Sequence, residues 1–151
     1  MSRPEVRVLV RRLAGTDDLP LPSYQTDDSA AVDLHAALTS PLELQPGAIE
    51  LVPTGLTIAL PSGYEAQVRP RSGLAVKHGV SLPNTPATID ADYRGEIKVP
   101  LINHGATTVT LKRGMRIAQM LVAPVPRIVW EEVGELPETD RGPGGFGHTG
   151  E

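Results

Sequence analysis

The sequence contains no cysteine and few aromatic residues: one Trp, one Phe and three Tyr in 151 residues. Without cysteine there is no disulfide framework, no thiolate metal site and no cysteine nucleophile, and a reducing compartment is compatible with that absence. Long apolar runs are missing too. Nothing approaches the roughly 20 residues that a membrane-spanning helix needs, and the N-terminal stretch MSRPEVRVLVRRL has neither the apolar core nor the small-residue cleavage site of a signal peptide. The expectation is a cytoplasmic protein with no membrane contact. Positive charge is also scarce, with 14 Lys and Arg against 18 Asp and Glu for a net charge of −4. That argues against a broad cationic face for duplex DNA, so no nucleic-acid partner is expected, although a local Arg cluster could still hold a small anion. Neither GxxxxGK[ST] nor GxSxG occurs, and His35, His78, His104 and His148 lack metal-ligand spacing.

What is abundant is Gly and Pro, 15 of each. Together they interrupt any long helix, and at this length one ordinary domain of short strands joined by turns is the expected architecture. Val6, Val8 and Val10 alternate with Arg7, Leu9 and Arg11, which predicts a first strand ending near Leu13. A short strand is expected within residues 29–38. Turn signals at Pro46 and Gly47, Thr54 and Gly55, and Ser62 and Gly63 predict an antiparallel meander. The run LAVKHG predicts one short helix, with Ser72 as N-cap and Gly79 as C-cap. Further strands are expected at 80–82, 96–102, 107–111, 116–122 and 128–133, about ten in all and enough for two facing sheets. Residues 1–134 thus form an all-β domain. Residues 135–151 are Gly-rich, cannot build a core, and read as a mobile arm that orders on contact with a ligand or neighbouring subunit.

Chemistry-bearing residues concentrate between Tyr64 and Met120. In PRSGLA, Arg71 and Ser72 offer a guanidinium and a hydroxyl, and Gly73 lets backbone amides approach an oxyanion; a helix starting there adds its positive end. A plain turn with a surface Arg and a capping Ser fits those three residues as well. In TIDADYRGE, Asp90 at a strand end is a candidate general base or divalent-cation ligand. Asp92 competes with it, and an acidic turn satisfied by Arg94 is the alternative. Tyr93 reads either as a core-edge residue or as a flat wall for a sugar. Asp33, flanked by apolar residues in AVDLHA, must be paired or near a cation, and pairing with an Arg is the simple structural account. Gln119 in RIAQM either faces solvent by alternation or bonds a ligand. The tail string GPGGFG matches G-x-G-x-x-G formally, but no strand precedes it closely and no helix can follow, which excludes a dinucleotide fold. It leaves Arg141 as a charge for a terminal phosphate and Phe146 as a ring able to stack on a base.

Taken in order, AVDLHA, PRSGLA, TIDADYRGE, RIAQ and RGPGGFGHTG form a series that resembles the deoxyuridine triphosphatases, the trimeric dUTP nucleotidohydrolases. The resemblance runs from about Leu19 to Gly150. It implies a jelly-roll-like β-barrel, a homotrimer with each active site shared among three chains, and Mg²⁺ as cofactor. Arg71, Ser72, Gly73 and Gln119 would then bind phosphates, and Asp33 the water shell of a Mg²⁺ held mainly by the triphosphate. Asn84, Asp90 and Tyr93 would come from a second chain, and an arm carrying Arg141, Phe146, Gly147 and Thr149 from a third. Asp90 would activate the water that attacks the α-phosphorus of dUTP, giving dUMP and pyrophosphate, keeping uracil out of DNA and supplying dUMP for thymidylate synthesis.

Three positions depart from the family's pattern. Ala87 and Ala31 stand where Gly is common, which would strain the backbone at Ala87 if it needed positive φ, and His148 stands where many members have Ser. Two other functions share the scaffold. A dCTP deaminase would lack the RGPGGFGHTG arm, and a catalytically silent nucleotide sensor need not keep Asp90, Tyr93 and Arg141.

Overall fold

The computed structural model describes residues 4–147. Its strands are β1 (Leu9–Arg12), β2 (Val32–His35), β3 (Leu42–Leu44), β4 (Ile49–Ala59), β5 (Tyr64–Arg69), β6 (Val80–Ser81), β7 (Ala87–Ile89), β8 (Glu96–Asn103), β9 (Val109–Leu111) and β10 (Arg116–Pro124), with the helix α1 (Ser72–His78) between β5 and β6. They form two four-stranded antiparallel sheets, β1-β4-β8-β6 and β2-β10-β5-β7, and a two-stranded ribbon of β3 and β9. This is the all-β arrangement expected from the turn-rich composition, and it is jelly-roll-like, as the resemblance implies. Among the described residues α1 is the one helix, and none is long and apolar enough to cross a membrane.

Alternation builds the core. In β8 the side chains of Ile97, Val99 and Leu101 point inward and are almost fully buried, while Glu96, Lys98 and Pro100 point outward. Leu34 of β2, Val52 of β4, Val68 of β5 and Ile117 of β10 meet them. At the end of β8 the alternation delivers Asn103, wholly buried. Its amide donates to Leu44 O at 2.9 Å and Thr107 O at 2.8 Å, and its Oδ1 accepts from Gly105 N at 2.8 Å. A buried amide satisfied on both ends ties the ribbon to the first sheet.

Several local expectations need correction. Thr54 and Gly55 do not make a turn. β4 runs straight through them, and its pairing with β8 shifts register between Pro53 and Thr57. Gly55 sits at φ 70°, where a Cβ would meet Thr16 Cγ2 at 2.4 Å, so the Gly serves a bulge. The sheet order also replaces the meander: β4 and β5, joined by the turn at Ser62 and Gly63, belong to different sheets. Arg71, not Ser72, is the N-cap of α1, in extended conformation and without a side-chain capping bond, while Gly79 caps the C-terminus at φ 69° as expected. β1 begins only at Leu9. Residues 128–133 are not a strand; Ile128, Val129 and Trp130 are exposed. Strand composition is insufficient by itself, and among the described residues no strand pairs with this segment to complete its hydrogen bonds. Neither Ala87 nor Ala31 has positive φ; Ala87 pairs with Val68 inside β7, so the expected strain is absent.

Candidate active site

The register of the second sheet gathers one group of polar side chains. Gln119 of β10 stands between Asp33 of β2 and Arg69 of β5. Asp33 is 9% exposed, and its two oxygens are shared between two guanidiniums: Oδ1 accepts from Arg71 Nε at 3.0 Å and Oδ2 from an Arg116 terminal nitrogen at 3.3 Å. Arg71 also donates to Arg116 O at 3.2 Å. Gln119 Nε2 donates to Pro70 O at 2.8 Å, which fixes the entry to α1. The Arg pairing expected as the simple account of Asp33 is therefore present. The chain thus presents two guanidiniums against one carboxylate, an excess of positive charge on a partly exposed face, with exposed Ser72 and Gly73 in the adjoining first turn of α1. Such a face suits an anion with several oxygens. Arg116 was not singled out in advance, although its place at the head of RIAQ is legible once β10 is seen to pair with β2.

His35 follows Asp33 on the same face and pairs with Arg116 across the strands. Its Nδ1 is buried and unpartnered. Burial holds its pKa below the usual histidine value; Asp33 pulls the other way, and Arg116 and Arg71 add to the depression.

A second group forms around the segment from β6 to β8. A cavity of about 320 Å³ is lined by Asn84, Ala87, Asp90, Tyr93, Glu96 and Ile97, among others. A wider groove of about 620 Å³ outside it is lined by Glu65, Thr88, Asp90 and Asp92. Asp90 alone of the two candidate carboxylates borders both. Tyr93 is 46% exposed, its hydroxyl donates to Glu96 O at 3.0 Å, and Arg94 donates to Ala91 O at 2.7 Å, closing the acidic turn through backbone and not through the carboxylates.

The two groups are separated within the chain. Ala66 pairs with Ile89, which carries Asp90 on toward Glu65 at the start of β5, where both line the same groove. Arg71 follows the opposite end of β5. From residue 65 to residue 71, at about 3.4 Å per extended residue, the separation is roughly 20 Å.

The arm supplies a third element. Arg141 Nε donates to Gly144 O at 2.8 Å, and Gly142 N donates to Thr139 O at 3.0 Å and to its Oγ1 at 3.1 Å. These are local bonds. Phe146, at φ 51°, is fully exposed and Gly147 is exposed beside it. His148 and Thr149 lie outside the described residues. Among the described residues no cluster of three His, Asp or Glu side chains forms a metal cage.

Comparison with known proteins places this arrangement. A family model described as dUTPase matches residues 17–150. A deoxyuridine 5'-triphosphate nucleotidohydrolase from Maricaulis maris (strain MCS10) is 56% identical over 147 residues, covering 96% of this chain and 97% of that protein. Among solved structures, a point mutant of the Staphylococcus bacteriophage 80alpha dUTPase with dUpNHpp superposes with a TM-score of 0.84 at 20% identity, covering 95% of this chain and 98% of that one. A mutant dUTPase from phage phi11 of S. aureus, described with a structural Mg(II) ion, gives 0.77 at 19% identity over 87% and 99%. At that identity the structures speak for the fold alone.

Proposed function

We propose, from the premise that this chain belongs to the dUTPase family and is a dUTP diphosphatase, that it cleaves dUTP between the α- and β-phosphorus with Asp90 as the general base. The observation that carries the assignment is the position of Asp90, the one of the two candidate carboxylates that borders both the smaller cavity and the wider groove. A nucleoside held in the cavity with its triphosphate in the groove would bring the α-phosphorus to that carboxylate. Asp90 orients a water and takes its proton as the water attacks in line; pyrophosphate leaves and dUMP remains.

The apolar walls of the cavity, Val68, Ala87 and Ile97, suit a flat base, and Asn84 offers an amide to its polar edge. A pocket built to hydrogen-bond uracil rejects cytosine because buried groups would be left unpaired, and its close walls exclude the methyl of thymine. Tyr93 lies under the deoxyribose and excludes a 2′-hydroxyl.

Arg71, Ser72, Gly73 and Gln119 hold the phosphates, with Arg116 beside them. The roughly 20 Å between this group and Asp90 in one chain supports a site completed between neighbouring chains of a homotrimer, one giving the phosphate face and the next giving Asn84, Asp90 and Tyr93. The arm of residues 135–151 closes from a third chain, with Arg141 on the terminal phosphate, Phe146 stacked on the base, and Gly147 and Thr149 beside them; residues 1–134 are the domain it closes upon. Asp33 fits an indirect metal role. Both its oxygens already accept one guanidinium bond, which leaves lone pairs for the waters of a Mg²⁺ carried by triphosphate oxygens. When bound, that ion neutralises phosphate charge. The expected setting is the cytoplasm, with dUMP going on to thymidylate synthesis and uracil kept out of DNA.

Asp90→Asn tests the assignment. It should abolish pyrophosphate release while dUTP binding with Mg²⁺, followed by calorimetry, stays within a few-fold of wild type, because the amide keeps the shape and loses the basicity. Retained turnover would remove Asp90 as the base.

A further inference from the structure

Glu96 opens β8 opposite Thr57, where the pairing of β4 with β8 slips. The bulge frees Gly55 N–H from the strand pairing, and it donates to Glu96 Oε1 at 3.0 Å. Beside it, buried Thr54 donates its hydroxyl to Ile97 O at 2.6 Å. The bulge is itself held from behind, because Leu13 N donates to Gly55 O at 2.8 Å and Thr16 packs over Gly55. Residues 96 and 97 are thus clamped by β4, and the clamp bears on the cavity. The carbonyl of Glu96 accepts the Tyr93 hydroxyl at 3.0 Å. The ring of Tyr93 rests on Gly95 so closely that a Cβ there would lie 2.3 Å from its hydroxyl oxygen and 2.5 Å from Cζ. One bond and one glycine seat set the angle of a ring that is otherwise half open to solvent.

From this geometry we infer that Glu96 is a positioning residue for sugar discrimination. Its carboxylate, anchored on the Gly55 N–H of the β4 bulge, fixes the carbonyl that aims Tyr93, and so sets the preference for a 2′-deoxy over a 2′-hydroxy nucleotide. The inference rests on the reading of Tyr93 as the surface beneath the sugar. What Glu96 supplies is an acceptor oxygen rather than a charge. Its contact with Lys98 at 3.9 Å is long, and the Lys98 side chain is about half exposed, so that pair contributes little.

The test compares kcat/KM for dUTP and for UTP, with Mg²⁺, in the wild type and in E96Q, E96A and G95A, each checked by circular dichroism. The ratio of the two constants does not depend on the fraction of protein folded. E96Q keeps the acceptor oxygen and should hold the wild-type ratio within about threefold. E96A and G95A should each lower it by about tenfold, the scale of one modest steric discrimination, with UTP gaining more than dUTP loses. If E96A does not fold, E96M removes the acceptor at nearly constant volume and is expected to behave the same way. An unchanged ratio in E96A or E96M, a ratio in E96Q as low as theirs, or an unaffected G95A would each overturn the role given to Glu96. Equal use of UTP and dUTP by the wild type would instead remove the reading of Tyr93 itself. Discrimination by the wild type with unresponsive variants removes only the inference.

Discussion

Two inactive variants should restore activity when they are assembled together. Asp90→Asn leaves the phosphate face of Asp33, Arg71, Arg116 and Gln119 intact, and Arg71→Ala leaves the cavity of Asn84, Asp90 and Tyr93 intact. Strand register keeps the two at opposite ends of β5, roughly 20 Å apart. On the proposed reading, a nucleotide that needs both takes one from each of two chains. In a ring of three chains with one such junction per pair, co-expression at equal levels makes about three quarters of the rings mixed, and each mixed ring contains one junction with both groups intact out of three. About a quarter of wild-type activity should return from two preparations that are silent alone. The assay is pyrophosphate release from dUTP by the co-expressed, purified pair, with each variant checked for wild-type circular dichroism because Arg71 also pairs with Asp33. Activity no higher than the sum of the separate variants would refute a site shared between chains.

Three further outcomes follow from the same geometry. Truncation after Glu138 removes Phe146, which is exposed, and Arg141, whose described hydrogen bonds are local to the arm, so the assembly measured by light scattering should persist while most activity is lost; wild-type rates would refute a closing arm. Gly55→Ala places a Cβ at positive φ and 2.4 Å from Thr16 Cγ2. The left-handed backbone costs about 1–2 kcal/mol and the overlap about 1–3 kcal/mol, so thermal unfolding at matched protein concentration should fall by roughly 4–20 °C, and a shift under 2 °C would contradict the bulge. His35 has a folded-state pKa depressed below 6.5, chiefly by burial. The unfolded chain takes up a proton first as pH falls through 6.5, so His35 makes stability decline from there down to its folded pKa. His35→Gln should flatten that part of the stability curve, and an unaltered slope would show that the imidazole is not protected.

The sequence made some of this legible and hid the rest for physical reasons. Turn residues are local signals, so Gly47, Gly63 and Gly79 marked real chain reversals and a real helix end. Asp33 between apolar neighbours announced its own need for a partner, and found two. Gly55 misled because a glycine at positive φ serves a bulge as readily as a turn, and only the β8 partner decides which. Residues 128–133 carry strand-forming side chains, but a strand also needs a free edge beside it, which composition does not record. The clamp on Tyr93 was beyond reach for the same reason: the bond from Gly55 to Glu96 spans 41 residues and exists only in one register. Arg116 was visible as a motif residue, yet its pairing with Asp33 depends on β10 lying beside β2.

The most direct single measurement is pyrophosphate release by the wild-type protein with Mg²⁺ from dUTP, dTTP, dCTP and UTP, each supplied alone at the same concentration. Rapid release from dUTP, with each of the other three slower by at least about a hundredfold as expected where buried groups would go unpaired or meet a wall, is the predicted result. A spared dUTP, or UTP cleaved equally well, would contradict it.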